Sequence, residues 1–503
     1  MDALVAVKRR IAAAVLGERR AERAEMGRIT LQPHQVEAAR RLTDALTSFG
    51  GALLADEPGL GKTFTALAVA RKYGGAVVIA PAALREQWHQ SARRAEVSIT
   101  WCSLETLSRR DWHADGALLV IDEAHHLRTP SAARYARAAA LAVGKHVLLL
   151  SATPVHNRAA DRAALFALFL GARADALGEH EASRLIVRRS ADTRLLPRRH
   201  HTRSLTVPCF IDLSRALRSL PPPLPTADGL DAAGLIRMSM AHAWSSSLAA
   251  LAAAATRTLQ RARAIDDALR DGRWPTRQEL RAWTVGSDGG QLAFPLVAAS
   301  PAATSTTEAL AALQRHSAGV RALRAAVAPV LDADSAARAA VLRGVLDAHP
   351  RQVVLAFAQH AETVYALHRA LRTEPGVVAI TSRAVRAAGA HVRREDVLRI
   401  LSAEDAATDP RMPLRLVLCT DLMSEGLDLR AASVVVHLDQ PWTVARLQQR
   451  EGRVRRLGAR HAHVTVYAVR PPPGAMRMLA LGARLLAKQA AMSAAIAGGE
   501  SAE

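Results

Sequence analysis

The chain has 503 residues, half of them hydrophobic, and a formal net charge of +21. That length supports more than one buried core and excludes a largely disordered chain. The positive balance points to a polyanionic partner, most simply nucleic acid, although lysine stands only at positions 8, 62, 72, 145 and 488 and the arginine and alanine bias also suits a GC-rich genome. Cys102, Cys209 and Cys419 lie far apart and form no CxxC pair, which argues against a disulfide framework or a zinc ribbon. No apolar run approaches the roughly 20 residues of a membrane helix, and the charges spread through residues 1–20 read as a short basic helix rather than a secretory signal.

In chain order, apolar and β-branched runs at Gly51 to Ala55, Ala76 to Ala80, Ser98 to Trp101, Ala117 to Ile121 and His146 to Leu150 alternate with helical stretches. Such alternation predicts a parallel sheet covered on both faces. The first strand runs into ADEPGLGKTF, Ala55 to Phe64. A strand, a glycine-rich turn and a helix start can cradle phosphate, with Lys62 reaching the β and γ phosphates and the Thr63 hydroxyl holding Mg²⁺. Asp56 occupies the place of the pattern's usual first glycine, and such a turn by itself is also compatible with a plain tight turn. The run LLVIDEAHHL, Leu118 to Leu127, closes an apolar strand with two adjacent carboxylates. Asp122 is the candidate Mg²⁺ ligand and Glu123 the candidate base for an attacking water. Ligands of open parallel sheets bind beyond the carboxyl ends of the strands, where both segments fall.

Residues 211–335 change character, with PPPLP at Pro221 to Pro225, alanine-rich helical stretches such as Ser245 to Arg263, and a Gly/Ser/Thr-rich segment from Val285 to Thr307. They read as a helical insertion and a link. Trp244, Trp274 and Trp283 lie there and suit core packing, with nucleic-acid stacking as the alternative. A second strand set follows at Val353 to Phe357, Gly376 to Ile380, Leu414 to Cys419, Ser433 to Leu438 and His463 to Tyr467. After it, QQREGRVRRLG at Gln448 to Gly458 places Arg453 and Arg456 three apart on one helix face, with Arg450 and Arg455 pointing elsewhere. Such arginines can neutralise charge on a transferred phosphoryl group, or form a solvated face. The tail suggests an amphipathic helix from Met476 to Ala494, for which packing back onto the second lobe is the plainest role.

Taken together, Leu31 to about Val469 resembles the superfamily-two helicases, and within them the Swi/Snf-like translocases of double-stranded DNA. LQPHQ, with Gln35, is similar to the adenine-reading element; ADEPGLGKT and DEAH match the first two motifs, bringing Asp56, Gly59, Gly61, Lys62, Thr63, Asp122 and Glu123 into the nucleotide site. VVIAPAALREQW and SLETL resemble strand-contacting segments, with Pro81, Ser103 and Thr106 as contacts. LLLSATPVHN supplies Ser151 and Thr153 as coupling residues. In the second half, VVLAFAQHAETV with Gln359, CTDLMSEGLDL with Thr420, Ser424, Glu425, Gly426 and Asp428, and QQREGRVRR with Gln449, Gly452, Arg453 and Arg456 resemble the later motifs. Gln359, Thr420 and Ser424 would touch nucleic acid, Gly426 and Asp428 the nucleotide. LIVRRSADTRLLP at Leu185 to Pro197 and Trp442 after VVVHLDQ narrow the resemblance to the Swi/Snf-like class.

The sequence departs from that pattern at Pro58, Asp428, Thr443, Val444 and Ala459, which suggests a divergent bacterial type. The resemblance implies an α/β protein of two tandem RecA-like parallel-sheet lobes with a helical insertion between them. The expected parts are residues 1–28, a basic helix; 29–209, the first lobe; 210–335, the insertion and linker; 336–470, the second lobe; and 471–503, the tail. It also implies ATP and Mg²⁺, movement on double-stranded DNA without strand separation, a protein partner that supplies targeting, no membrane, and a cytoplasmic, nucleoid-associated location. A strand-separating DNA or RNA helicase, or a slow ATP-operated switch or scaffold, are the alternatives.

Overall fold

The computed structural model describes residues 25–57, 59–151, 159–189, 197–200, 202–224, 232–274, 305–381, 384–387, 393–402, 414–421, 429, 431–441, 444–455, 459 and 461–479. The chain divides into two units, Met1–Asp192 and Thr193–Glu503. Among the described residues no helix is long and apolar enough to cross a membrane.

The first unit is built on a six-stranded sheet in the order Ile99–Ser103, Ala76–Ala80, Leu118–Ile121, His146–Leu150, Gly51–Leu54, Ile186–Val187, with every pairing parallel. Its central strands are buried along their whole length because side chains of period two feed two cores. Ala52, Leu54, Val78 and Val120 enter one core together with Trp88. Leu53, Ile79, Leu119 and Ile121 enter the other with Phe166. The helix Pro33–Phe49 begins with proline in its first turn, where a missing N–H costs nothing, and ends at Gly50 in the left-handed region (φ 76°).

The second unit carries an eight-stranded sheet. Its order is Arg203–Leu205, His463–Val469, Ala432–His437, Val353–Ala358, Leu416–Thr420, Val377–Ile380, Val385–Ala387, with Arg198–Arg199 also on the His463 strand. All pairings are parallel except that of the edge strand Val385–Ala387. The same alternation feeds two cores, one with Val354, Ala356 and Val436, the other with Leu355, Phe357 and Val435. The expected fold class, parallel α/β sheets in tandem, is therefore present, and every strand read from the apolar runs is found close to its expected bounds.

A third core belongs to helices. Ala232–Ser246, Leu248–Arg270 and Thr306–Val327 contribute Trp244, Leu251, Leu259, Leu313 and Val320. Trp244 is buried, as core packing requires; Trp274 packs against the same cluster, and Trp283 lies outside the described residues. The expected helix Met476 to Ala494 lies outside the described residues beyond Leu479. The short helix Pro473–Leu479 adds Ala475 and Leu479 to this core, so the described part of the tail packs on the insertion's helices. Gly474 makes that approach possible, since a Cβ there would lie 2.6 Å from the Trp244 ring and 2.1 Å from Ser214 Oγ. The linking segment differs from expectation. The expected first lobe runs to residue 209, yet Arg198–Arg199 and Arg203–Leu205 pair along His463–Val469 in the second unit's sheet. These strands are two and three residues long and begin with exposed arginines, so they carry no apolar period to read.

Trp244→Ala should remove about 3–5 kcal/mol from the helical core, seen as a lower urea midpoint by circular dichroism; an unchanged midpoint would show that the insertion does not depend on this packing.

Candidate active site

In the first unit the strand Gly51–Leu54 hands the chain to a turn in which Gly59 (φ 92°) and Gly61 (φ 78°) both adopt left-handed backbone, and the helix Lys62–Lys72 starts directly after it. Gly61 is doubly constrained, because an added Cβ would also lie 2.3 Å from Gln35 Nε2. Gln35 Nε2 donates to Leu60 O at 3.0 Å, and its Oε1 accepts from Gln32 N–H at 2.9 Å. The candidate adenine-reading glutamine is thereby fastened to the glycine turn, with the His34 ring, Nε2 3.2 Å from the same carbonyl, beside it. Lys62 Nζ donates to Asp56 O (2.7 Å) and Glu57 O (3.3 Å), folding its ammonium back over the turn where anionic oxygens would compete for it. Thr63 is in the first turn of the helix, half-buried.

Asp56 replaces the usual first glycine and is buried, with Arg189 Nη2 3.6 Å from its Oδ2. Burial raises the Asp56 carboxyl above its ordinary range, opposed by Arg189 and then Lys62. Arg189 also donates to His34 O. It therefore touches both the glycine turn and the glutamine helix, a role that its place in a run of arginines gave no sign of.

The strand Leu118–Ile121 delivers the paired acids. Asp122 Oδ2 accepts from Trp88 Nε1–H at 3.0 Å and Oδ1 from Glu123 N–H at 2.9 Å. Burial first, and the Glu123 charge second, push the Asp122 carboxyl up to about 6. Glu123 is buried and has φ 50°, a conformation that costs a residue with a Cβ of the order of 1–3 kcal/mol and that collects at functional sites. His125 Nδ1 is 3.4 Å from Glu123 Oε2, and burial, then His125, lowers His126 to about 3. Among the described residues no group of three or more His, Cys, Asp or Glu could enclose a metal. One carboxylate crowded by a second charge, plus a threonine hydroxyl, is instead the donor set that suits Mg²⁺ carried in on phosphate oxygens.

Other candidates share this edge. Ser151 N–H donates to Leu54 O at 3.1 Å and its side chain is buried. Pro81 opens the turn after Ala76–Ala80, and Ala82 N–H donates to Glu105 Oε2 at 3.0 Å. Ser103 caps the helix Leu104–Arg109 by accepting from Thr106 N–H at 3.0 Å, with Thr106 Oγ1 also 3.0 Å away. Their hydroxyls thus shape the helix start.

In the second unit Gln359 and Thr420 are buried at the carboxyl ends of neighbouring strands. The helix Val444–Gly452 carries Gln449, half-buried, and is followed by Arg453, buried. Arg450, read as pointing away from Arg453, lies wholly inside the unit: it donates to Asp421 Oδ1, to Asp439 O (3.1 Å) and to Asp439 Oδ1 (3.1 Å), 5.7 Å from the Phe357 ring centre. Glu451 binds Arg199 at 2.6 and 3.0 Å, and Arg455 Nε donates to Pro197 O, so Pro197 and Arg199 are held at the end of this helix. Asp421 and Asp439 fall inside CTDLMSEGLDL and VVVHLDQ, where nothing local in the sequence signals a pairing with Arg450. Thr153, Ser424, Glu425, Gly426, Asp428, Trp442 and Arg456 lie outside the described residues.

Residues 337–458 match the helicase conserved C-terminal domain. The chain is 34% identical over 152 residues to the uncharacterized ATP-dependent helicase YqhH of Bacillus subtilis, covering 25% of this chain and 27% of that protein. It is 32% identical over 144 residues to the SWI/SNF-related matrix-associated actin-dependent regulator of chromatin subfamily A-like protein 1 of Bos taurus, covering 23% and 15%. The chain thus spans well under a third of the length of these two relatives. Among solved structures, the Sulfolobus solfataricus SWI2/SNF2 ATPase core in complex with dsDNA is 14% identical, covering 89% of this chain and 90% of that one, at a TM-score of 0.32.

Gly61→Ala should cost the first unit on the order of 1–3 kcal/mol through the left-handed backbone and displace Gln35; an unchanged urea midpoint would mean that the turn is not locked in this way.

Proposed function

We propose, from the premise that the chain belongs to the superfamily-two helicase family and has Swi/Snf-related kin, that it hydrolyses ATP to move along double-stranded DNA without separating the strands. The observation that carries this reading is the pair Asp122 and Glu123 at the same sheet edge as the glycine turn and Lys62. Lys62 would exchange its loop carbonyls for phosphate oxygens, with the amides that start its helix as further donors. Thr63 and Asp122 would hold Mg²⁺, which supplies positive charge to the phosphates when bound. Glu123 would orient water and take its proton, and the His125 ring at 3.4 Å can hydrogen-bond the carboxylate in that position.

Gln35 would read the adenine with the amide hydrogen and lone pair that its two structural bonds leave over. Gly426 and Asp428 are assigned to the nucleotide, Ser151, Thr153 and Gln449 to coupling, and Arg453 and Arg456 to the charge of the transferred phosphoryl group. DNA contacts are assigned to Pro81, Ser103, Thr106, Gln359, Thr420 and Ser424 and to the net charge of +21. A protein partner would supply targeting. Strand separation is a second reading, favoured by the Bacillus subtilis relative's name, ATP-dependent helicase; efficient ATP-driven opening of a tailed duplex in a gel assay would establish it over the first.

Glu123→Gln is expected to keep ATP binding while abolishing turnover, read by nucleotide titration beside a phosphate-release assay. Turnover near the wild-type rate would remove Glu123 as the base. Duplex affinity should be independent of sequence and fall by roughly 0.9 log unit per log unit of salt for each phosphate contact; binding that is flat with salt would contradict a phosphate-tracking motor.

A further inference from the structure

We infer that the helical insertion is a positioning element of the second lobe: its Ser246–Ser247 junction fixes Asp439, and Asp439 fixes Arg450 on the helix that carries Gln449 and leads to Arg453. The inference rests on the reading of that helix as part of an ATP-driven motor.

The helix Ala232–Ser246 stops and Leu248–Arg270 starts with only Ser247 between them. Ser247 is extended, and its Oγ caps the second helix by accepting from Ala250 N–H at 3.0 Å. The same hydroxyl lies 2.7 Å from Thr363 Oγ1, and Ser246 Oγ lies 2.8 Å from it. Ser246 Oγ also donates to Asp439 Oδ2 at 2.6 Å, an oxygen that accepts from Gln359 N–H at 2.8 Å as well. The two oxygens of the Asp439 carboxylate are thus divided, Oδ2 toward the insertion and Oδ1 toward Arg450 Nη2. Arg450 completes the connection by binding Asp421 at the end of Leu416–Thr420. Ser246, Thr363, Asp439 and Arg450 are each 0% exposed.

Stability alone gives no reason for such a junction. The insertion already has its own apolar core around Trp244 and Leu251, and buried ion pairs often stabilise no more than well-packed apolar residues of the same shape. What a buried polar network of this kind adds is a single geometry, because each displaced partner leaves a desolvated donor or acceptor behind. The guanidinium is the member with most to lose, since all its described bonds go to Asp421 and Asp439. Neighbouring bonds hold the other side of the junction: Leu248 N–H donates to Asp334 Oδ2 at 3.2 Å, and Asp334 is paired with Arg338 inside the helix Leu331–Ala348. The serine junction is therefore clamped between the helix Leu331–Ala348 and the helix Val444–Gly452 that leads to Arg453.

The test uses the full chain with Ser246→Ala, and Ser246→Cys as a near-isosteric variant that keeps the packing but donates weakly. Amide hydrogen exchange is followed by mass spectrometry over residues 444–452 and 248–270. Both variants should exchange at least tenfold faster than wild type over 444–452, and ATPase kcat should fall about tenfold with KM for ATP within twofold. Faster exchange confined to 248–270, with 444–452 and kcat unchanged, would overturn the inference and leave Ser246 as a local feature of the insertion. If Ser246→Ala exchanges fast throughout, Ser246→Cys decides. If the wild type hydrolyses no ATP, the motor reading fails while exchange over 444–452 still decides whether the junction positions this helix.

Discussion

Parallel strands end together, and the first unit depends on that constraint. Leu54 is in register with Leu150, Leu149 with Ile121, Ile121 with Ile79, and Ala80 with Ser103. The residues just beyond these pairs are Asp56, Ser151, Asp122, Pro81 and Ser103 itself, so residues scattered over about a hundred positions of sequence arrive on one edge. Burial of the strands on both faces makes the register costly to change, because a slip of one residue would exchange the side chains of the two cores. Site geometry is thus a by-product of core packing.

Charges gathered at such an edge must be satisfied without water, and the two units do this differently. In the first, Asp56 and Asp122 are both raised, chiefly by burial, with Arg189, Lys62 and Trp88 compensating in part. Partial compensation suits a place meant to receive further charge, since an incoming cation or anion can complete it. In the second, Asp439 is held below its ordinary range despite burial, because Arg450 and hydrogen bonds from Ser246 and Gln359 outweigh desolvation. That cluster is closed and serves geometry.

Much of this was legible in the chain because strong signals are local. The runs around Ala76–Ala80, Leu118–Ile121 and Val353–Ala358 are continuous and β-branched or leucine-rich, and the glycine turn and paired acids sit at fixed offsets from their strands. What was not legible is non-local or too short for a period. Arg189 meets Asp56 across more than a hundred residues, and Ser246 meets Asp439 across nearly two hundred. The strands Arg198–Arg199 and Arg203–Leu205 are polar at the surface, so nothing in their sequence told which sheet they would join. Only the fold reveals that Ala475 and Leu479 of the tail helix Pro473–Leu479 join the core of the insertion.

The measurement that bears most directly on the central claim is steady-state ATPase activity of the wild-type chain, alone and with duplex DNA, single-stranded DNA or RNA. The account predicts low basal turnover that duplex DNA raises strongly and single strands do not. Stimulation by single strands alone, or none by any nucleic acid, would contradict a duplex-tracking motor.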